Sequence, residues 1–164
     1  MAVLGGTGSN LLSGHEGADT LIGGLGHDTL EGGIGKDRLT GGGGFDLFRI
    51  MQESDSGVRF SERDVINTFA HGDKIDLSGI DANSRRAGDQ SFSFIGDDAF
   101  TGRAGQLRYD MTNISATGVK SYVVYGDING DRVADLSLQI YTAPTRDRMD
   151  GEQSWHLEAW DFVL

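Results

Sequence analysis

A nine-residue period runs in register through five consecutive blocks of this chain, and it limits the available folds more than any other feature. The blocks are GGTGSNLLS from Gly5, GHEGADTLI from Gly14, GGLGHDTLE from Gly23, GGIGKDRLT from Gly32 and GGGGFDLFR from Gly41. Positions one and four are glycine in every block. Position six is Asn10, Asp19, Asp28, Asp37 and Asp46, and position eight is Leu12, Leu21, Leu30, Leu39 and Phe48. A merely glycine-rich stretch of low complexity would not hold aspartate and leucine in phase. Self-similarity at a short fixed period marks a stacked, solenoid-like architecture.

The chemistry follows from the spacing. Glycine permits left-handed backbone and lets carbonyl oxygens turn inward, so the first six residues of each block form a tight turn presenting carbonyls and one carboxylate. The last three form a short strand whose position-eight side chain points inward. Two blocks make one coil of a right-handed parallel roll, and blocks 18 residues apart stack at about the 4.8 Å strand spacing. Ca²⁺ is a hard cation that takes about 6–8 oxygens, and it fits between two stacked turns. Asp19 then pairs with Asp37 and Asp28 with Asp46. Asn10 opposes Asp28 with a neutral amide oxygen, which makes the first site weaker. His15 replaces the second glycine of its block; its carbonyl still serves, and the ordinary reading of its imidazole is a solvated side chain.

The ninefold phase continues through Asp55, Asp64 and Asp73, and the last two are followed two residues later by Ile66 and Ile75 in the inward slot. By the 18-residue rule Asp37 opposes Asp55 and Asp46 opposes Asp64. These segments lack the glycines, so an ordinary surface aspartate is the alternative for each, and for Asp73 it leads.

From about residue 58 the pattern changes to short strand patches between turn signals: 65–69, 91–95, 106–109, 121–125, 136–141 and 162–164. Alternation in Phe92-Ser93-Phe94 and Leu136-Ser137-Leu138-Gln139-Ile140 suits a half-buried antiparallel sheet, and most of the aromatic residues lie in this half. One inward residue per nonapeptide buries little, so the roll (1–57) is expected to lean on an antiparallel β-sandwich cap (58–164), the two forming one continuous all-β module. The loop Asp127-Ile128-Asn129-Gly130-Asp131-Arg132-Val133-Ala134-Asp135 resembles the start of an EF-hand-type loop. It has Arg132 where such loops need glycine and no Glu at position twelve, which favours a plain hairpin turn.

These motifs carry a family resemblance over nearly the whole chain. The repeats, followed by GDKIDLSGIDAN, FSFIGDDAF, GQLRYD, GDINGDRVADLSLQI and a terminal DFVL, resemble the RTX (hemolysin-type) C-terminal domain of serralysin-type metalloproteases. Similar modules end secreted alginate epimerases, polysaccharide lyases and lipases. The resemblance implies a parallel β-roll with several Ca²⁺ ions (about three to five), secretion by a type I (ABC transporter) apparatus to the extracellular side, and an upstream catalytic domain in the parent chain. It also implies that turn positions two, four and six of one repeat and one, three and six of the repeat 18 later are the metal ligands. One site is then His15, Gly17, Asp19, Gly32, Ile34 and Asp37. The next is Gly24, Gly26, Asp28, Gly41, Gly43 and Asp46. The weaker first site is Gly6, Gly8, Asn10, Gly23, Leu25 and Asp28, and a further one joins Gly33, Gly35 and Asp37 to the Asp55 region, with Asp64 beyond. Residues 144–154 read as an insertion, and the terminal Asp161-Phe162-Val163-Leu164 fits both a secretion tail and a buried last strand.

Composition excludes other classes. The formal charge is −11 and there are no cysteines, which disfavours nucleic acid and anionic membranes and removes thiolate chemistry and Cys-based zinc sites. No apolar run approaches a membrane span. Met1 to Gly14 lacks the n- and h-regions of a Sec signal, and a Met-Ala start running straight into a repeat reads as the edge of a longer chain. HExxH, GxSxG and P-loop motifs are absent, and His15, His27, His71 and His156 are scattered, so the module itself is not expected to be an enzyme. The expected role is calcium-triggered folding. A second reading, binding of an anionic, alginate-like polysaccharide, rests on Arg85, Arg86, Arg103, Arg108, Lys120 and Tyr122.

Overall fold

A computed structural model describes residues 1–143 and 156–164, so the expected insertion at 144–154 lies outside the described residues. The repeats fold as strands of alternating length: β1 (Ala2–Thr7), β2 (Leu11–Ser13), β3 (Thr20–Leu25), β4 (Thr29–Glu31), β5 (Arg38–Gly43) and β6 (Leu47–Arg49). Every pairing among them is parallel and offset by 18 residues, with Val3 beside Leu21, Leu21 beside Leu39, Leu12 beside Leu30 and Leu30 beside Phe48. Side chains alternate across a strand, so one residue per nonapeptide faces inward. Those residues, Leu12, Leu21, Leu30, Leu39 and Phe48, are all buried in a single core.

The next coil departs from the 18-residue rule. β7 (Asp64–Phe69) lies beside β5 with Val65 opposite Arg38, and β8 (Lys74–Asp76) lies beside β6 with Lys74 opposite Leu47, each 27 residues on. One nonapeptide has left the roll. Between β6 and β7 the chain makes an excursion that carries a single 3₁₀ turn at Glu53–Asp55 and crosses the outer face of the sheet, where the Ser137 hydroxyl donates to Gly57 O. The expected oppositions of Asp37 with Asp55 and Asp46 with Asp64 are therefore corrected to Asp37 with Asp64 and Asp46 with Asp73. The physical reason sits in the inward slot. Two residues after Asp64 and Asp73 come Ile66 and Ile75, both buried, whereas two residues after Asp55 comes Gly57, which has nothing to contribute to the core.

Beyond the roll follow β9 (Ser93–Phe94), β10 (Gln106–Ile114), β11 (Lys120–Asp127), β12 (Leu136–Thr142) and β13 (Phe162–Val163). They do not form a separate pair of sheets. The long sheet runs β1-β3-β5-β7-β12-β11-β10-β9 and the short one β13-β8-β6-β4-β2. The antiparallel component is confined to β10, β11 and β12, while β12 joins β7 in parallel. In the short sheet every pairing is parallel, including that of β13 with β8. Both roll sheets thus cross the boundary expected at residue 57 and share one core. Its aromatic end gathers Phe94 against Phe162 (ring centroids 5.3 Å) and Tyr109 edge-on to Tyr122 (5.5 Å). Among the described residues no helix is long and apolar enough to cross a membrane.

Candidate metal centre

The aspartates at position six form two ladders, one along each edge of the roll. On one edge the Asp19 N–H donates to Asp37 Oδ1 (2.8 Å) and the Asp37 N–H to Asp64 Oδ1 (2.7 Å). On the other, the N–H groups of Asn10, Asp28 and Asp46 donate to Oδ1 of Asp28 (2.8 Å), Asp46 (2.9 Å) and Asp73 (3.0 Å). Each carboxylate is thus held by the backbone of the coil before it, at the start of the strand its own residue opens. The other oxygen is a different matter. Oδ2 of Asp19, Asp28, Asp37, Asp46 and Asp64 is buried and has no hydrogen-bond partner. A buried, ionised, unpaired carboxylate oxygen is among the most unfavourable groups a fold can contain. Five of them in one repeating position call for a cation.

Backbone oxygens complete the cradle. The His15 and Gly17 carbonyls point at the following coil so closely that a Cβ on Gly33 would stand 2.0 Å from His15 O, and one on Gly35 would stand 2.0 Å from Gly17 O. Gly33 and Gly35 have φ of +87° and +141°, which L side chains rarely adopt. Gly32 O faces back toward Gly14, and a Cβ on Gly32 would lie 2.3 Å from Asp37 Oδ2. The same relations hold for Gly6 O beneath Gly24, Gly8 O beneath Gly26, Gly24 O beneath Gly42, Gly26 O beneath Gly44, and for Gly23 O and Gly41 O facing back. The donor set is hard oxygen throughout, as Ca²⁺ prefers. No three His, Cys, Asp or Glu side chains among the described residues converge as a metal cluster; most of the oxygens facing each cradle are backbone carbonyls.

The expected ligands divide by geometry. Positions one, two, four and six face the cradles. Position three does not stand free, because Ile34 O accepts from the Gly17 N–H (2.8 Å) and Gly43 O from the Gly26 N–H (2.7 Å); Leu25 occupies the matching place in the first coil. Only the second lone pair of those carbonyls remains for a metal. Asn10 turns its amide nitrogen to Asp28 Oδ1 (3.0 Å), filling the first cradle with a neutral donor. His15 adopts φ +71° with its imidazole exposed, and the group it turns toward the next coil is its carbonyl.

Electrostatics grade the ladders. Burial raises the Asp64 carboxyl to about 8, against the hydrogen bond from Asp37, with the charges of Asp37 and Asp55 adding to the rise. Burial likewise raises Asp37, helped by Asp19 and Asp55, and Asp46, helped by Asp28. Asp73 rises to about 6, through burial first and then the charges of Asp46 and Asp161. Asp55 therefore returns to the site by another route. It is expelled from the ladder, yet it is buried and its charge acts on both Asp37 and Asp64, while its Oδ2 accepts from Met51 and Gln52 N–H. Asp73, for which an ordinary surface aspartate was the leading expectation, is buried at the end of the second ladder, and beside it stands Asp161, a carboxyl that sequence reasoning did not place near the site and that burial raises. Both Asp73 oxygens are taken, by Asp46 and Ala70 N–H.

The acidic loop after β11 behaves differently. Asp127 accepts from Gly130 and Arg132 N–H, and Asp135 from Ile128 and Asn129. Arg132 does take the left-handed conformation (φ +72°), but the loop consumes its own carboxylates as it joins β11 to β12. The residues expected to hold polysaccharide also separate. Tyr122 and Lys120 are buried, Arg85, Arg86 and Arg103 are exposed, and Arg108 is engaged by Asp110.

Comparison with known proteins agrees with this geometry. The model of the RTX calcium-binding nonapeptide repeat (4 copies) matches residues 3–30 and 13–48. Among solved structures, the AlgE6R3 subunit of the Azotobacter vinelandii mannuronan C5-epimerase is 21% identical with a TM-score of 0.57, covering 98% of this chain and 78% of that one. The AlgE6R2 subunit is 25% identical with a TM-score of 0.53, covering 88% and 85%. No curated protein matches. Residues 3–48 thus match the RTX calcium-binding repeat, and the all-β parallel roll is similar in fold to those epimerase repeat subunits.

Proposed function

We propose that this chain is a non-catalytic, calcium-dependent folding module of a secreted protein, exported by a type I apparatus and joined in its parent chain to a catalytic domain upstream. The observation that carries the reading is the row of five buried, unpartnered Asp Oδ2 atoms. Bound Ca²⁺ would neutralise those carboxylates and bond the carbonyls of two coils at once. Without that partner the aspartates repel along each edge, and a coil of one inward residue per nonapeptide has little apolar burial to oppose them. Binding free energy then becomes folding free energy. Three sites at a hundredfold excess over Kd contribute about 8 kcal/mol, at ~2.7 kcal/mol each, as much as the stability of a whole domain. An extended acidic chain in low calcium suits passage through an exporter, and the same chain closes where calcium is plentiful.

The test is a calcium titration of the chelator-stripped protein by circular dichroism, with calorimetry for the ion count. A cooperative coil-to-β transition with at least three ions is expected; a folded, cooperative protein in excess chelator overturns the reading.

A second reading is engagement of an anionic polysaccharide. What favours it is that Lys36, Arg38 and Arg63 collect on one face of this acidic chain, and no carboxylate among the described residues lies in ion-pair distance of them.

A further inference from the structure

Resting on the calcium-folding reading, we infer that the expelled nonapeptide couples one calcium cradle to the antiparallel strands, with Asp55 reinforcing the Asp37–Asp64 cradle and Ser56 tying its state to β12. The two ladders end in different ways. The second closes on itself, because Asp73 Oδ2 accepts the Ala70 N–H and the Asp73 N–H donates back to Ala70 O (3.1 Å). The first is closed from outside. Asp19 donates to Asp37 and Asp37 to Asp64, but the Asp64 N–H, with no further coil to meet, donates to Ser56 Oγ (2.8 Å). A serine hydroxyl from the excursion thus stands where the carboxylate of a next coil would stand. That hydroxyl gives its own proton to Ser137 O in β12 (2.6 Å), and the Ser137 hydroxyl returns to Gly57 O (3.1 Å) and Val58 O (3.3 Å). Both serines are fully buried, so a bond lost there is not replaced by one to water.

Asp55, one residue earlier, brings the charge. It is buried; its Oδ2 accepts from Met51 and Gln52 N–H (3.0 and 3.2 Å), and its Oδ1 takes no hydrogen bond among the described residues. It does not join Asp37 and Asp64 in a cluster of three ligands, yet its charge bears on both. To the two ladder carboxylates of this cradle it therefore adds a third from outside the wall, whereas the Asn10–Asp28 step has one carboxylate in all. Beside these contacts an open cleft of about 310 Å³ separates Gly35 and Lys36 on the roll from Ser54, Gly57 and Ser61 on the excursion. The excursion is held at a few points, and two of them adjoin the cradle.

Repulsion and support thus act on the same segment. With the cradle empty, three carboxylates in shared low-dielectric surroundings push the excursion off the roll. With a cation between Asp37 and Asp64 they hold it on, and Ser56 is set between Asp64 and Ser137. Ser56 is a positioning residue, since it touches the backbone of Asp64 and not the ion. β12 lies beside β7 with Leu138 opposite Asp64, and β11 and β10 follow β12 in the sheet. Calcium occupancy of this cradle and docking of β10, β11 and β12 therefore favour each other by the same factor. The cradles of the second ladder, on the other edge, lack this link.

The experiment is a calcium titration of the whole chain read at two places: far-ultraviolet dichroism for the roll, and near-ultraviolet dichroism for the Tyr109–Tyr122 pair of β10 and β11. The two signals should rise together in the unsubstituted chain. Asp55→Asn keeps an acceptor for Met51 and Gln52 and removes the charge; Ser56→Ala removes the hydroxyl. Either should move the tyrosine signal to about tenfold more calcium, the loss of one buried polar contact, and so part it from the roll signal. Asp28→Asn, on the other edge, should move the roll signal further than the tyrosine signal. A purely structural Ser56 would act alike in any background, whereas its calcium shift should disappear in an Asp64→Asn chain. Signals that stay together in Asp55→Asn and Ser56→Ala, or a Ser56→Ala shift that persists without the Asp64 carboxylate, overturn the coupling and leave calcium-dependent folding standing. Unsubstituted protein that gives both signals in excess chelator overturns the folding reading itself, and the coupling with it.

Discussion

The turns of the roll and the loop after β11 are made of the same residues and end in opposite states. Asp127 and Asp135 each have backbone N–H donors from their own loop, and the hairpin is complete as it stands. In the roll, Asp28, Asp37, Asp46 and Asp64 accept a backbone N–H from the neighbouring coil and Asp19 accepts from the Met1 ammonium, and all five leave a second oxygen buried and unmatched. Aspartate in a short loop can curl back on its own amides. Spread along a parallel stack with glycine on either side, it has one amide per coil within reach. The first arrangement is satisfied from within; the second leaves its oxygens to be matched from outside.

Four measurements would break or sharpen that contrast. The largest effect is expected from Asp37→Asn, because Asp37 stands in two steps of its ladder. Losing both sites removes up to about 5 kcal/mol at a hundredfold excess of calcium, at ~2.7 kcal/mol per site. Denaturation midpoints should separate widely with calcium and converge in chelator. Next is Gly35→Ala, where a Cβ would stand 2.0 Å from Gly17 O at φ +141°. A loss of about 3 kcal/mol, the upper end of backbone strain, should come with a higher calcium midpoint. Asp127→Ala strips two N–H donors of their acceptor and should lose about 2 kcal/mol, by the same amount at every calcium concentration above saturation. A calcium-dependent loss there would erase the distinction between the two regions.

The smallest effect concerns pH. Folded-state carboxyls raised above the ordinary value favour the protonated form, so their contribution to metal-free stability is complete below about 4 and is lost as pH rises through the folded values. With Asp64 at about 8 and Asp73 at about 6, chelator-stripped protein should hold more β structure at pH 5 than at pH 8. Calcium affinity should run the other way and fall as pH is lowered from 8 to 5, since protons and the cation compete for the same oxygens. A dichroism series at fixed chelator reads the first; the opposite slope would show that these groups are not buried in the metal-free fold.

The sequence makes the roll legible because its two determinants, the turn aspartate and the inward apolar residue, repeat together. Strands were readable even where the glycines stop, at 65–69, 106–109, 121–125 and 136–141, since alternation survives there. The partner of each strand was less readable. Asp55 keeps the ninefold phase, and phase alone does not say whether a repeat stays in the wall; Gly57 in the inward slot does, and it was visible in the sequence. The antiparallel strands could be recognised as such, but not that they extend one sheet of the roll while the other remains parallel. That outcome depends on β7 and β12 lying side by side across more than 70 residues of chain.

The 27-residue step gives the roll a parity. Successive nonapeptides alternate between the two walls, so a whole number of coils added or removed leaves every later strand in its own sheet, whereas a single nonapeptide moves all of them to the opposite one. The excursion between β6 and β7 is a single unit of that kind, carried outside the wall instead of within it. Excising nine residues there would leave every surviving contact locally plausible and still require no change of wall for β7. Reinstating the same nine residues as a proper coil half, with an apolar residue at position 57, would send Asp64 and β7 to the other wall and carry β12 away from its partner. Arrays of this type can therefore lengthen freely by eighteens, while a growth of nine has to be looped out, as it is here, or else invert everything downstream.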